Sequence, residues 1–383
     1  MYTGSESHPS RKGHHDHQRS ATNGLNKGAG RTEVHDFEME KYGEFSNETN
    51  SRVLEINLGN GTSNQKAKNK YRLDRIISSG HFGKIYVGTD RYTGEVVAIK
   101  VQHPWRGRTN LRHEYEVYTE LQGGIGIPKV LWFGRDGRYD VMVMELLGTS
   151  LEDRLVSQSH KFSLKTVLLL AEVLIDRFEY IHSKGYIYRD LKPDNFLSGF
   201  GSKENIIYLI DFGLSKRFRD ANTLEHIPYL TNKSFVGSLS YASVNAQLGI
   251  QQSRRDDMES LGYILVYLLR GTLPWFGLQN DTMKEKYALT LDLKMELSKE
   301  SICHGCPPEF FIFIKICQSM RFDAEPNYSS LRKLFRNVLD RYNYTSAETF
   351  DWEGDSTLKQ YNKRIAITSI SPLVRRWLDR SNA

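Results

Sequence analysis

Asp190, Lys192 and Asn195 lie in the stretch Tyr186-Ile187-Tyr188-Arg189-Asp190-Leu191-Lys192-Pro193-Asp194-Asn195-Phe196-Leu197, at offsets of zero, two and five. An extended polar loop with that spacing can aim all three side chains at one point. Asp190 can accept a proton from a hydroxyl. Lys192 can neutralise charge on a phosphoryl group in transfer, and Asn195 can hold a metal ion through its amide oxygen. That is the chemistry of phosphoryl transfer, in which positioning and electrostatic stabilisation carry most of the rate. Three fixed residues in six arise easily by chance, so the reading needs further parts, in order and at workable distances.

The elements that would position those parts begin at Tyr71. Tyr71 to Ile77 reads as a strand, Ser78-Ser79-Gly80-His81-Phe82-Gly83 as a glycine-bearing tip, and Lys84 to Gly88, with Ile85, as a second strand. Gly80 and Gly83 let a backbone approach phosphate oxygens closely and offer N–H groups to them. An ordinary hairpin has the same pattern. Glu95-Val96-Val97-Ala98-Ile99-Lys100 is an apolar strand ending in Lys. Leu111 to Tyr118 follows at helical spacing. Glu114 and Glu116 are both candidates to pair with Lys100, and Glu114 is chosen because it borders the inward face formed by Leu111, Tyr115 and Tyr118. Val130–Phe133 and Tyr139–Met144 are two more strands around Asp136-Gly137, and Glu145-Leu146-Leu147-Gly148 reads as a hinge.

Beyond Gly148 the pattern is mostly helical. Ser150 caps one helix, and Ser163 to Ser183 carries apolar residues at helical spacing, delivering the Asp190 loop. Ile206 to Ile210 is a strand that runs into Asp211-Phe212-Gly213, sixteen residues after Asn195. A carboxylate directly after a buried strand, followed by Gly, suits a magnesium ligand facing phosphates.

The 383 residues allow one large or two medium domains, and 39% hydrophobic with 26% charged residues reads as a soluble globular chain. The longest apolar run, near Leu261–Leu269, is too short to span a bilayer, and the polar start gives no signal peptide. Three cysteines make no disulfide framework, which fits a reducing compartment. A net charge of +6 permits an acidic partner without establishing nucleic-acid binding. Residues 1–70 are polar and His-rich and read as a disordered arm. His8, His14, His15 and His17 there read as a solvated tail before a metal site, and Cys303-His304-Gly305-Cys306 is half a zinc pattern without a second pair.

Together these parts resemble a eukaryotic protein kinase, with Val97-Ala98-Ile99-Lys100 and Asp211-Phe212-Gly213 in family order. Met144-Glu145-Leu146-Leu147-Gly148-Thr149-Ser150-Leu151-Glu152-Asp153, Gly237-Ser238-Leu239-Ser240-Tyr241-Ala242-Ser243-Val244-Asn245 in place of an A-P-E motif, Gln252 to Tyr263, and Leu273-Pro274-Trp275 resemble the casein kinase I family closely. The likeness covers about Tyr71 to Trp352. It implies an α+β, two-lobe fold: a small antiparallel lobe over 71–147, a helical lobe over 148–352, and a tail over 353–383. It implies transfer of the ATP γ-phosphate to Ser or Thr of proteins, with Mg2+. By the resemblance Asp190 is the base, Lys192 steadies the phosphoryl group, Asn195 and Asp211 hold magnesium, and Lys100 pairs with Glu114. Residues 77–85, including Ser78, Ser79, His81, Phe82 and Lys84, cover the phosphates. Ile77, Ile85, Ala98, Met144, Leu147, Leu197 and Ile210 wall the adenine pocket beside Glu145, and Asp257 braces the Asp190 loop from below.

Some positions depart from the family. Ser78 replaces a Gly, Tyr188 a His, Ser240 an Arg of an anion site, and Phe276 a polar residue. Gly277 and Lys286 of that site remain, and Lys233 can still meet acidic groups. The expected partners are protein substrates with acidic or phosphorylated segments, with weakened demand for a phosphate primer. No nucleic acid and no lipid anchor are expected, and the protein is expected as an intracellular monomer, cytoplasmic or nuclear. Leu373-Val374-Arg375-Arg376-Trp377-Leu378 reads equally as a docking piece or a frayed end. Two rivals stand beside this reading. An inactive kinase-fold scaffold would lack the Lys, Asp or Asn, all of which are present. A divergent relative with a distinct substrate class is kept open by Ser240 and Phe276.

Overall fold

Alternation along three strands decides the architecture of the first part of the chain. Val97 and Ile99 face one way, Ala98 and Lys100 the other, as the two-residue period of a strand requires. In the computed structural model, Val97, Ile99, Val141 and Val143 pack with Tyr71 and Leu73 into a small core on one face of a sheet. The other face carries Lys100 and Ala98 toward the rest of the molecule. The structure describes residues 70–80, 83–103, 110–278, 282–344 and 349–352. The expected arm (apart from Lys70) and tail, the four arm histidines, residues 373–378, His81 and Phe82 lie outside them.

The sheet has five antiparallel strands, β1 (Tyr71–Gly80), β2 (Gly83–Asp90), β3 (Val96–Gln102), β4 (Val130–Asp136) and β5 (Tyr139–Glu145), in the order β1-β2-β3-β5-β4. The expected tip over 78–83 is much shorter than its residues suggest. Ser78 pairs with Ile85, Ser79 with Lys84 and Gly80 with Gly83, so pairing runs to the end of the hairpin after bulges near Leu73 and Ile76. Gly83 has a second reason to be glycine. Its φ is +102°, and a Cβ there would lie 2.4 Å from the carbonyl oxygen of Val101 on β3.

One helix, α1 (Leu111–Leu121), crosses the sheet, with Asn110 accepting from the Arg112 N–H as its cap. Its buried positions are Leu111, Glu114, Val117, Tyr118 and Leu121. Tyr115, expected inside, is only partly covered and stacks on Phe133 of β4 at 4.5 Å.

The second part is helical. It begins with α2 (Leu151–Ser157) and α3 (Leu164–Ser183), followed by the short strands β6 (Tyr186–Ile187), β7 (Phe196–Ser198), β8 (Ile207–Leu209) and β9 (Lys216–Arg217). Then come α4 (Val244–Gln247), α5 (Arg254–Arg270), α6 (Met283–Glu296), α7 (Lys299–Ile302), α8 (Pro308–Ser319) and α9 (Tyr328–Arg341). Ser150 and Asp153 form a reciprocal capping box on α2. Along α3, Val167, Leu168, Ala171, Leu174, Ile175 and Phe178 are buried at helical spacing. Each of these side chains except Ala171 contributes about 1.5–3 kcal/mol on leaving water. Helix α5 is buried along nearly its whole length between α3 and α8: Leu261–Leu269 is almost wholly apolar, and the buried Asp256, Asp257 and Glu259 before it are hydrogen-bonded. The described chain closes back on α3. Asp351 accepts from the Ser163 N–H (2.7 Å) and hydroxyl (2.6 Å), and Trp352 lies under the Arg154 guanidinium at 4.8 Å.

Candidate active site

Lys100 projects from the middle of β3, where Ile85 and Met142 flank it in register. Its Nζ meets Glu114 Oε2 at 2.6 Å and Asp211 Oδ1 at 3.1 Å. Glu114 is therefore the partner of Lys100; Glu116, two residues further along α1, lines a different cavity. Burial works against the Lys100 ammonium, but Asp211 and Glu114 outweigh it and hold its pKa above that of a free lysine. Burial pushes the Glu114 carboxyl up to about 7, against the pull of Lys100. One ammonium thus ties α1 to β3 and to the segment after β8.

Asp211 follows β8 in a left-handed conformation, φ 63° and ψ 66°, which costs a non-glycine residue about 1–3 kcal/mol. Its backbone N–H donates to the Tyr118 hydroxyl at 3.0 Å. Phe212 then turns fully inward, edge-on to Tyr118 and Tyr188. The turn is held in place by packing and one hydrogen bond to Tyr118 of α1, and the carboxylate faces Lys100.

The Asp190 loop is fixed from below. Asp257 of α5 accepts from the Tyr188 N–H (2.7 Å) and the Arg189 N–H (2.9 Å), and His182 of α3 joins it at 2.9 Å. Arg189 takes a left-handed φ of 72° there. Tyr188 is fully buried and its hydroxyl donates to the Ile210 carbonyl at 2.5 Å, so the aromatic that replaces histidine both packs and bonds. Asp190 is 4% exposed. Its Oδ1 accepts from the Ser238 hydroxyl at 2.8 Å and its Oδ2 from Lys192 Nζ at 3.3 Å. The Asn195 amide nitrogen donates to the Asp190 carbonyl at 3.0 Å. A cation can therefore be met at Asn195 only by the amide oxygen. Among the described residues, no three His, Cys, Asp or Glu are grouped to hold a metal. Asn195 and Asp211 supply two oxygen donors, which fits Mg2+ sharing its shell with phosphates.

The adenine-side residues also converge. Ala98 pairs with Met144, Leu197 bridges Ser150, and the hinge runs beside β7 through Gly148 N–H to the Ser198 carbonyl. Leu147 is buried, yet among the described residues its backbone N–H and C=O have no hydrogen-bond partner. That orphaned donor and acceptor suit the edge of a purine. Glu145 is committed elsewhere: its side chain accepts from the Lys129 N–H at 2.8 Å and from Lys203 at 3.1 Å. Ile77 is exposed, and Ser78 and Ser79 stand in strand pairing rather than in a free loop.

The three residues expected to read anions are not joined by any hydrogen bond or ion pair among the described residues. Lys233 is exposed on a loop pairing with Gly249, Gly277 follows Phe276 with φ +72°, and Lys286 is exposed on α6. Sequence reasoning missed a second basic group. Arg189, Lys216, Arg217 and His113 line one cavity of about 490 Å³ with Glu116, Glu120, Tyr186 and Ser215. Burial lowers the Lys216 pKa, and the charges of Arg189 and Lys233 lower it further. It also missed Ser238 and Tyr118.

A family model described as the protein kinase domain matches residues 71–339, well over half of the chain. The chain belongs to the protein kinase family. The antiparallel-sheet part and the helical part are the two lobes of that fold, and the domain is that of an ATP-dependent phosphotransferase acting on proteins.

Proposed function

We propose that this protein is a serine/threonine kinase of casein kinase I type, with the lobes meeting near 147–148 and Asp190 as its base. One observation carries this reading: Asp211 is held by Lys100 of β3 and by the Tyr118 hydroxyl of α1, while Asp190 is held by Lys192, Asn195 and Ser238 in a loop whose Tyr188 and Arg189 N–H groups bond to Asp257 of α5. A substrate hydroxyl at Asp190 gives up its proton to the carboxylate as its oxygen bonds to the γ-phosphorus. The bond from that phosphorus to the bridging oxygen breaks, and ADP leaves. Lys192 meets the charge on the transferring group. Lys100, fixed by Glu114, grips the phosphates that stay behind. When bound, Mg2+ held by Asn195 and Asp211 neutralises phosphate charge. A general base contributes roughly 10²–10⁴ in rate. Asp190→Asn is expected to lose about that factor in kcat on casein while ATP binding persists. Phosphoamino-acid analysis of the wild-type product should return phosphoserine or phosphothreonine; phosphotyrosine alone would sink the assignment.

The substrate preference is proposed as acidic, with little call for a phosphate primer. Ser240 gives its carbonyl to the Trp275 indole at 2.8 Å, and Phe276 packs edge-on to Tyr241, so neither offers charge. Arg189, Lys216 and Lys233 supply it instead. Restoring a guanidinium with Ser240→Arg adds a charge-assisted contact, of which an exposed example is worth about 1 kcal/mol or less. Matched peptides with and without an upstream phosphoserine should differ by only a few-fold in kcat/KM for wild type, and by more for the variant at low salt. A strong primed preference in wild type, unmoved by the substitution, would place the reader elsewhere.

A further inference from the structure

Lys294 has no part in the chemistry above, yet it is fully buried. On α6 only it and Thr290, one turn earlier, are buried. Taking an ammonium out of water costs several kcal/mol unless its hydrogens are met. Among the described residues no carboxylate touches it. Its Nζ donates instead to two backbone carbonyls, Leu239 at 2.9 Å and Ala242 at 2.7 Å. The faces of Trp275 and Tyr263 stand 5.0 and 5.2 Å away. Glu259 is the charged neighbour behind Tyr263, bonded to that tyrosine's hydroxyl at 2.8 Å and to the Val244 N–H at 3.1 Å. From the start of α7, Lys299 donates to the Lys294 carbonyl.

The two carbonyls belong to the loop 237–243. The same loop gives a third carbonyl, that of Ser240, to the Trp275 indole. At its start Gly237 lies so close to the Arg189 carbonyl that a Cβ would come within 2.3 Å. Next to it, Ser238 donates to Asp190. The loop is thus stretched between the base and one lysine nitrogen. Charged or neutral, that nitrogen carries at least two hydrogens, enough for both carbonyls. A hydrocarbon of equal length would fill the space without the desolvation cost and leave both carbonyls unmet.

We propose that Lys294 is a positioning residue for phosphoryl transfer: by holding the Leu239 and Ala242 carbonyls, it sets the height of the loop that brings Ser238 to Asp190 and lies against the protein substrate. The inference rests on the kinase reading with Asp190 as base, and it adds a determinant of how that base and its protein substrate are aligned.

The test uses the full chain with casein, or a Ser-containing acidic peptide, and ATP. Lys294→Met removes the donors, and Lys294→Arg keeps them. Losing a charge-assisted bond should lower kcat/KM for the peptide about 10- to 100-fold. KM for ATP should stay within about twofold, since the adenine side shares none of these contacts. Lys294→Arg should recover most of the loss. In a Ser238→Ala background the further loss from Lys294→Met should shrink below about threefold, because the effect passes through Ser238. Peptide kcat/KM within threefold of wild type for Lys294→Met would overturn the proposal. So would losses in peptide and ATP parameters that merely track the folded fraction. If Lys294→Met does not fold, Trp275→Phe decides: it removes the third carbonyl's donor and should show the same peptide-only loss, and unchanged kinetics would refute the idea. An inactive wild type would instead defeat the kinase reading itself, whereas an active wild type with an indifferent Lys294→Met defeats only this inference.

Discussion

At the scale of single residues, Asp211 is held by what its neighbours donate and accept. Its left-handed backbone would relax if the Tyr118 hydroxyl did not accept the Asp211 N–H. Tyr118→Phe keeps the edge contact with Phe212 and removes only that acceptor. A net hydrogen bond is worth about 1 kcal/mol, so kcat should fall roughly fivefold with the peptide KM unchanged. Steady-state kinetics check this, and an unchanged kcat would leave Tyr118 a packing residue. The same scale shows what the sequence could reveal. Asp190, Lys192, Asn195 and Asp211 can be singled out in the sequence because fixed offsets within a loop, or after a strand, are local features. Glu114 was separable from Glu116 because only one borders the buried stripe of α1. Ser238 and Tyr118 were not legible: they meet their aspartates across 48 and 93 residues, and nothing local marks that meeting.

At the scale of elements, α5 acts as the floor of the site. Asp257 near its start accepts from two successive backbone amides of the Asp190 loop and from His182, which in turn meets the Tyr328 hydroxyl of α9 at 2.7 Å. Asp257→Asn leaves one acceptor oxygen for two N–H groups. A buried amide left without a partner costs about 1–3 kcal/mol. Tm should drop by several degrees and kcat by about tenfold, read by thermal melts and turnover on the same preparation. Equal turnover at a lowered Tm would mean the loop keeps its shape without this brace. The type of α3 was legible from its period alone, and that of β3 from a short unbroken apolar run. Their ends were less so. The β1–β2 pairing through Ser78, Ser79 and Gly80 was hidden because glycine and serine read as loop when their partners are unknown. Lys294 was hidden for a related reason: a lysine between Leu293 and Met295 looks like a surface residue until the loop above it is in place.

For the whole molecule, three deeply buried groups, Asp256, Glu114 and Lys294, change their proton count on folding between pH 5 and 8. Burial pushes Asp256 up to about 7, against hydrogen bonds from Ser243 and Ser253, and pushes Glu114 up to about 7. Both keep a proton in the folded chain that an unfolded carboxyl loses near pH 4. They therefore favour the fold at pH 5, and the advantage is lost as pH rises through 7. Burial lowers Lys294 to about 7, while the unfolded lysine stays charged to about 10.4. Stability is regained as pH climbs above 7. The nucleotide-free protein should be least stable near neutrality, with Tm several degrees lower at pH 7 than at pH 5, and Asp256→Asn should flatten the acid side. A Tm that rises steadily from pH 5 to 7 would contradict this ordering. The closure of Asp351 onto Ser163 has a consequence in time. The two residues are 188 apart in sequence. At about 5–20 residues per second on the ribosome, the start of α3 waits roughly 10–40 s for the carboxylate that caps it. For that interval the nascent chain carries the stripe of α3 without α9 to cover it, and early pausing in translation lengthens its exposure to chaperones and to neighbouring chains.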